Sequence, residues 1–381
     1  MMKIYYIVNA RMPTEKAHGF QISKMCESFA RNSSEVTLIL PKRRNNIKQD
    51  LFSFYGLKRN FNVIYVPVLD LVFLGKLGFF IESFSFALYI KLFVHIPKEI
   101  IIFSRDYISS FFLSSLKNKM IIEIHDEVKK NFIWNSVLKR VDFIISTNKL
   151  KKDKIISDFK IEERKIFVFP NGVDLEDYQN LPDKNILRNK LNLPKDKFLI
   201  SYVGKFKTMG EEKGLEEIIL SLKFLPDNVV GVFVGANLGE AEAYKNILGR
   251  GGLSFDRAIF IEFTPKKEVP KYLKAMDILL MPFPKTRHYE FAMSPIKMFE
   301  YMASGVPIIA SDLPSVKEIL NDSNAHFFSP GSVELLSEKI KEVLANYEEA
   351  LKKALRAKEL VSRYTWLNRA REVLNFIGNK I

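Results

Sequence analysis

The chain has 381 residues, with 58 Lys and Arg against 44 Asp and Glu, a formal net charge of +14 at pH 7. That length suggests two domains of roughly 100–200 residues with room for buried cores. A content of 47% hydrophobic and 27% charged residues excludes a disordered or fibrous protein. The single cysteine, Cys26, excludes an intrachain disulfide and a cysteine zinc cluster, so a reducing, cytoplasmic compartment is the simplest expectation. The run Met1–Val8 is too short for a secretory signal.

In chain order, Lys3–Val8 reads as a strand and Phe20–Arg31 as a helix. Further apolar strand candidates are Val36–Leu40, Val63–Val68, Ile100–Phe103, Met120–Ile124, Phe143–Ser146 and Lys165–Phe169. They are continuous apolar runs rather than alternating ones, as expected for parallel strands covered by helices on both faces. The scheme restarts with Phe198–Val203 and a helix from Gly214, then Val229–Val234, Ile259–Glu262, Asp277–Met281, Pro307–Ala310 and His326–Phe328. Two doubly wound α/β domains are the natural solution. Asn180–Asp196, with Pro182, Pro194 and many charges, reads as the linker. The last stretch, Val333–Ile381, reads as helical with a break at Tyr364-Thr365-Trp366, where Thr365 suits an N-cap. The expected division is residues 1–185, 186–362 and a terminal helix over 363–381.

Residues 1–190 hold 31 basic and 20 acidic side chains, against 27 and 24 in the remainder. One half is therefore expected to meet an anionic partner. Val63–Ile96 is rich in Phe, Leu and Val, but Asp70, Lys76, Glu82 and Lys91 interrupt it, so no window is expected to reach the ~18 apolar residues of a membrane-spanning helix. It reads as core helices, with lying on a membrane surface as the alternative.

The segment from Met293 to Asp312 carries the most chemistry. Ser294 suits an N-cap and Pro295 a first helical turn, so a helix is expected to begin there and offer free N–H groups to an anion. Lys297 adds a point charge within one turn. Glu300, about 1.5 turns in, can accept hydrogen bonds from vicinal hydroxyls such as those of a ribose.

The run Ser294-Pro295-x-Lys297-x-x-Glu300-Tyr301-Met302-Ala303-x-Gly305-x-Pro307 resembles the donor-binding segment of retaining family-4 glycosyltransferases of the GT-B fold. The resemblance extends along most of the chain. Lys16-Ala17-His18-Gly19-Phe20-Gln21 is similar to the family's first N-domain loop, Ile124-His125-Asp126 to the strand end facing the donor sugar, and Pro170–Asp174 to the turn leaving the first domain. Tyr202-Val203-Gly204-Lys205-Phe206 with Lys213-Gly214 resembles the phosphate clamp. The helix after Trp366 looks like the one that crosses back to the first domain. The resemblance implies two Rossmann-like domains facing a central cleft, the first for the acceptor and the second for a nucleotide-diphospho-sugar donor. It further implies donor contacts from Gly19, Gly204, Lys205, Lys213, Ser294, Pro295, Lys297 and Glu300, with His125, Lys213 and Glu300 nearest the chemistry.

Each position also has a local account. A side chain at Gly19, between a strand and a helix, would block a pyrophosphate. Lys205 and Lys213 would neutralise charge building on a leaving diphosphate. Ser104-Arg105-Asp106 either binds an acceptor phosphate or pairs internally. The chain departs from the family where its signature has an earlier glutamate: Ala292 stands there, and Glu290 is two residues off register. The loop holding Thr208-Met209-Gly210-Glu211-Glu212 is also long. No Asp-x-Asp, G-x-G-x-x-G, Walker lysine motif or H-E-x-x-H is present, so no metal or cofactor beyond the donor substrate is expected.

The expected function is transfer of a sugar, with retained configuration, to a hydroxyl acceptor: a lipid-linked or growing cell-envelope glycan. A basic first half with Lys42-Arg43-Arg44, Lys48 and Lys58-Arg59 would suit peripheral docking on an anionic membrane surface, though a solvated basic surface explains it too. The rival readings are a nucleotide-sugar epimerase of the same fold and a non-enzymatic binder of anionic polymers. Nucleic acid is disfavoured, because lysines rather than arginines with clustered aromatics dominate.

Overall fold

A computed structural model describes residues 1–208 and 211–379. Met209 and Gly210, expected in the loop before Lys213, lie outside the described residues. The strands are β1 (Lys3–Ile7), β2 (Glu35–Lys42), β3 (Asn62–Pro67), β4 (Ile101–Ser104), β5 (Met120–Ile124), β6 (Phe143–Ser146) and β7 (Ile166–Val168). After them come β8 (Phe198–Val203), the short hairpin strands β9 (Lys207–Thr208) and β10 (Glu211–Glu212), then β11 (Val229–Ala236), β12 (Ala258–Glu262), β13 (Ile278–Met281), β14 (Ile308–Ser311) and β15 (His326–Phe328). Between them run α1 (Ala17–Arg31), α2 (Leu51–Tyr55), α3 (Gly75–Phe93), α4 (Tyr107–Leu113), α5 (Phe132–Arg140), α6 (Lys149–Phe159) and α7 (Lys184–Lys190). The rest are α8 (Leu215–Ser221), α9 (Leu238–Arg250), α10 (Val269–Ala275), α11 (Ile296–Ser304), α12 (Pro314–Lys317), α13 (Val333–Ala345), α14 (Tyr347–Leu360) and α15 (Trp366–Gly378).

The chain divides into two units, Met1–Asn171 with Trp366–Ile381, and Gly172–Thr365. The two ends of the second unit lie side by side, where Val173 N–H donates to Tyr364 O at 3.0 Å and Val173 bridges Thr365. The expected linker at 180–196 is instead folded into this unit as α7. Leu187 is buried there, and Arg188 meets Asp277 at 2.5 Å while donating to Ala275 O.

Unit 1 is a seven-stranded parallel sheet in the order β3-β2-β1-β4-β5-β6-β7. Unit 2 holds a six-stranded parallel sheet in the order β12-β11-β8-β13-β14-β15. Successive side chains of β8 alternate between two cores. Leu199 and Val203 join Val230, Val232 and Met298 on one face, while Ile200 and Tyr202 join Val229, Phe233, Leu336 and Ile340 on the other. Covering on both faces is why the strand reads as a continuous apolar run. In each sheet the strand order reverses direction once, between β1 and β4 and between β8 and β13, and ligands of such sheets bind beyond the carboxyl ends at that point.

The stretch Val72–Phe93 differs from expectation. By length and composition it is apolar enough to cross a membrane. Its packing shows a helix lying on unit 1. Phe86, Ala87 and Ile90 are fully buried, and the buried Glu82 accepts from Asn9 Nδ2 at 2.9 Å.

Candidate functional site

The switch point of unit 2 puts the end of β8 beside that of β13. Gly204 has φ +129°, and a Cβ there would stand 3.1 Å from Lys297 Nζ. Its N–H donates to Val234 O at 2.8 Å, continuing the sheet. Tyr202 is buried and donates its hydroxyl to Lys205 O at 3.0 Å, and Val203 N–H donates to the Tyr301 hydroxyl at 2.9 Å. The Lys205 side chain is exposed.

Lys213 is set by the start of α8. Glu212 caps that helix, accepting from Gly214 N–H at 2.5 Å and Leu215 N–H at 2.6 Å, and from the Tyr244 hydroxyl at 3.0 Å. Gly214 has φ +80°, and a Cβ would fall 1.7 Å from Pro282 O, so no other residue fits without moving backbone. Lys213 Nζ donates to Lys205 O at 3.0 Å, and burial, then the Lys205 charge, lowers its pKa to about 8.

Helix α11 begins at Ile296, later than expected. The cap position is Pro295, in extended conformation and without a side-chain cap, so Ser294 does not hold the N-cap role assigned to it. Lys297 Nζ sits 3.2 Å from the centre of the Tyr202 ring and is buried with no hydrogen-bond partner. Burial, followed by the charges of Lys213 and Lys266, pushes its pKa well down. Glu300, 7% exposed, is ion-paired with Lys266. Burial lowers Lys266 to about 8. Unit 2 thus brings Gly204, Lys205, Lys213, Lys297 and Glu300 together. A buried Lys297 amine without a hydrogen-bond partner, near the half-buried Lys213 and against the side-chain-free Gly204, is an arrangement with the chemistry to hold a multiply charged anion.

Lys266, and Tyr202 as the seat of the Lys297 amine, escape sequence reasoning. Lys266 stands in a Lys-Lys-Glu run that reads as solvated surface, and only the fold carries it to Glu300. Ala292 is buried in a π-helical turn over His288–Ala292, in which Tyr289 stacks on Phe283 at 5.1 Å.

The remaining candidates belong to unit 1. Gly19 lies inside α1, and a Cβ there would meet the Tyr55 hydroxyl at 2.0 Å, so this glycine makes room for Tyr55. The His125 ring is nearly buried, with Nε2 2.9 Å from Glu123 Oε1. Burial, then the Arg105 charge, pushes its pKa down to about 3, so it is neutral near pH 7. Asp106 pairs internally: it caps α4, accepting from Ile108 N–H at 3.3 Å and Ser109 N–H at 2.9 Å. Arg105 donates to Gln21 Oε1 at 3.2 Å. Among the described residues no cluster of three or more His, Cys, Asp or Glu could hold a metal ion.

Residues 183–359 match the family described as glycosyl transferases group 1. The chain is 25% identical over 186 residues to TuaH of Bacillus subtilis (strain 168), named for teichuronic acid biosynthesis as a glycosyltransferase, covering 48% of this chain and 43% of that protein. It is 24% identical over 192 residues to the UDP-Gal:alpha-D-GlcNAc-diphosphoundecaprenol alpha-1,3-galactosyltransferase of Escherichia coli, covering 49% and 47%. The matches thus span less than half the length of these relatives. Among solved structures, Anabaena Alr3699/HepE in complex with UDP superposes with a TM-score of 0.77 at 16% identity, over 99% of this chain and 100% of that one. The two parallel-sheet units have the GT-B fold.

Proposed function

We propose, from the match of residues 183–359 to the glycosyl transferases group 1 family, that the protein moves a sugar from a nucleotide-diphospho-sugar to a hydroxyl acceptor with retention of configuration. The observation that carries this reading is the buried, unpartnered Lys297 amine against Gly204, one helical turn from Glu300. Lys297, Lys213 and Lys205 would stabilise the diphosphate as charge builds on it, in a partly desolvated site where such interactions are strong. Glu300 would accept from the ribose hydroxyls, with the Lys266 ion pair orienting the carboxylate.

In the transfer step, the acceptor oxygen bonds to the anomeric carbon on the face from which the diphosphate departs. The bond from that carbon to the phosphate oxygen breaks, and the acceptor proton passes to this oxygen. His125, neutral, would serve as a hydrogen-bonding group and not as a charged acid. The UDP complex of the Anabaena neighbour and the UDP-Gal in the Escherichia coli relative's name support a uridine nucleotide as the first donor to try. The diphosphoundecaprenol in that name supports a lipid-linked acceptor, and with it peripheral association at the inner face of the cytoplasmic membrane.

Glu300→Gln is expected to weaken UDP binding by about 1.5–3 kcal/mol, the worth of hydrogen bonds to a charged acceptor. Isothermal titration on the folded variant measures it, and unchanged affinity removes Glu300 from the site. A pH series adds an independent check. Lys213 is protonated below about pH 8, so diphosphate affinity should fall as pH rises through that value. The sign for the ligand-free protein is opposite. A lysine whose folded pKa is depressed binds fewer protons folded than unfolded between about 8 and 10.5, so its contribution to stability rises over that window. Affinity that is flat from about pH 7 to 9.5 would contradict the role given to Lys213.

A further inference from the structure

Helix α3 is apolar on both faces: Phe86, Ala87 and Ile90 join the unit 1 core, and large apolar side chains also face outward. Two polar side chains, Glu82 and Ser83, face inward among the apolar ones: both are fully buried, and Asn9 Nδ2 donates to Glu82 at 2.9 Å and to Ser83 Oγ at 2.8 Å. Facing outward on the helix are Leu77, Phe80, Phe84 and Leu88, spaced by three, four and four residues and so aligned on one stripe, and Phe73, in the turn before the Gly75 break (φ +71°), is exposed beside its start. The exposures along the stripe are 67%, 50%, 40% and 37%, and that of Phe73 is 80%. The stripe continues sideways through Phe84, which meets Phe112 edge to face at 5.3 Å.

Charge settles the occupant. Along α3 the only acidic side chain is the buried Glu82, whereas Lys76 and Lys91 are exposed. At the start of the segment Asp70 accepts from Arg44 N–H at 3.0 Å and from Arg43 Nε at 3.3 Å, which brings the basic loop Lys42-Arg43-Arg44 beside it. A second copy of the chain meeting this face through a two-fold axis would set these cations against themselves. Spanning a bilayer is excluded by the inner face, where Phe86 and Ile90 belong to the unit 1 core.

We propose that α3 docks unit 1 on an anionic lipid surface, its Leu77–Leu88 stripe and the adjoining Phe73 entering the boundary between headgroups and acyl chains and the flanking lysines and arginines meeting lipid phosphates. This deepens the lipid-linked acceptor reading and rests on it for its purpose, since docking would bring the acceptor-binding unit to its substrate.

The test is flotation of the full chain with phosphatidylcholine vesicles containing about 30 mol% phosphatidylglycerol or none. The parent is compared with the triple variant Phe73→Ser, Leu77→Ser, Phe80→Ser, whose side chains are exposed enough that its melting temperature should match the parent's. The parent should bind the anionic vesicles and bind less in high salt. The variant should lose at least ~30-fold in partitioning, from the apolar area no longer buried. Equal binding by parent and variant, or binding indifferent to phosphatidylglycerol, overturns the proposal. So does absent vesicle binding with a dimer in sedimentation that the triple variant dissolves. UDP titration of the same samples separates the two readings: failed flotation with intact UDP binding removes the docking alone, and the reverse removes the donor site alone.

Discussion

Lys297→Met should abolish tight binding of a nucleoside diphosphate and at the same time raise the melting temperature of the ligand-free protein. The two effects share one cause. The Lys297 amine is buried without a hydrogen-bond partner, held over the Tyr202 ring, and its pKa is pushed well down, so the free protein carries a desolvation penalty whether the amine keeps its proton or gives it up. Methionine keeps the stem's packing and places a sulfur near the same ring, a favourable contact. Removing the penalty should stabilise by about 1–2 kcal/mol, a shift of a few degrees. Binding should weaken by about 1.5–3 kcal/mol for the lost charge-assisted hydrogen bonds. Thermal scanning and titration of one preparation read both. A lower melting temperature with unchanged affinity would make Lys297 a structural cation.

The second large effect lies in unit 1. Arg369, on α15, is ion-paired with Glu123 on β5, and both side chains are nearly buried at 3% and 1%. The guanidinium also donates to Pro170 O at 2.7 Å and Phe169 O at 3.1 Å, and the Tyr6 hydroxyl donates to Glu123 Oε2 at 2.9 Å. Arg369→Met should destabilise unit 1 by about 3–5 kcal/mol, because it leaves a buried carboxylate without its counter-charge. The double variant Glu123→Met, Arg369→Met should recover much of that loss. Urea unfolding measures it, and an Arg369→Met midpoint equal to the parent's would refute the account of how α15 is held.

The pH dependence of this cluster has a definite sign. Burial alone would raise the Glu123 carboxyl, but Arg369 and His125 outweigh it and hold the pKa well below the usual range. His125 is depressed to about 3. Both groups bind fewer protons folded than unfolded, so their stabilisation is complete above about pH 6.5 and is lost as pH falls, first through His125 and then through Glu123.

What the sequence revealed follows from locality. Phe198–Val203 is legible because a parallel strand covered on both faces must be apolar throughout. Lys184–Lys190 is not, because Pro182, Pro194 and its charges look like a linker, and the Asp277 that buries Arg188 is distant in the chain. In the candidate site, Gly204, Lys213, Lys297 and Glu300 stand in recognisable motifs. The start of α11 is misread because Pro295 keeps an extended backbone, and Lys266 is invisible because only tertiary structure brings it to Glu300. The apolarity of α3 is plain from composition, but which of its faces meets the core is not.

The most direct measurement is thermal shift and titration of the protein with UDP, GDP and ADP beside their monophosphates. A cluster of lysines built for a diphosphate predicts that one nucleoside diphosphate binds at least ~10-fold more tightly than its monophosphate. At 100 times its dissociation constant it should stabilise by about 2.7 kcal/mol. Equal binding of the two, or no binding of any diphosphate, would contradict the assignment of the Lys213–Lys297 cluster as a donor site.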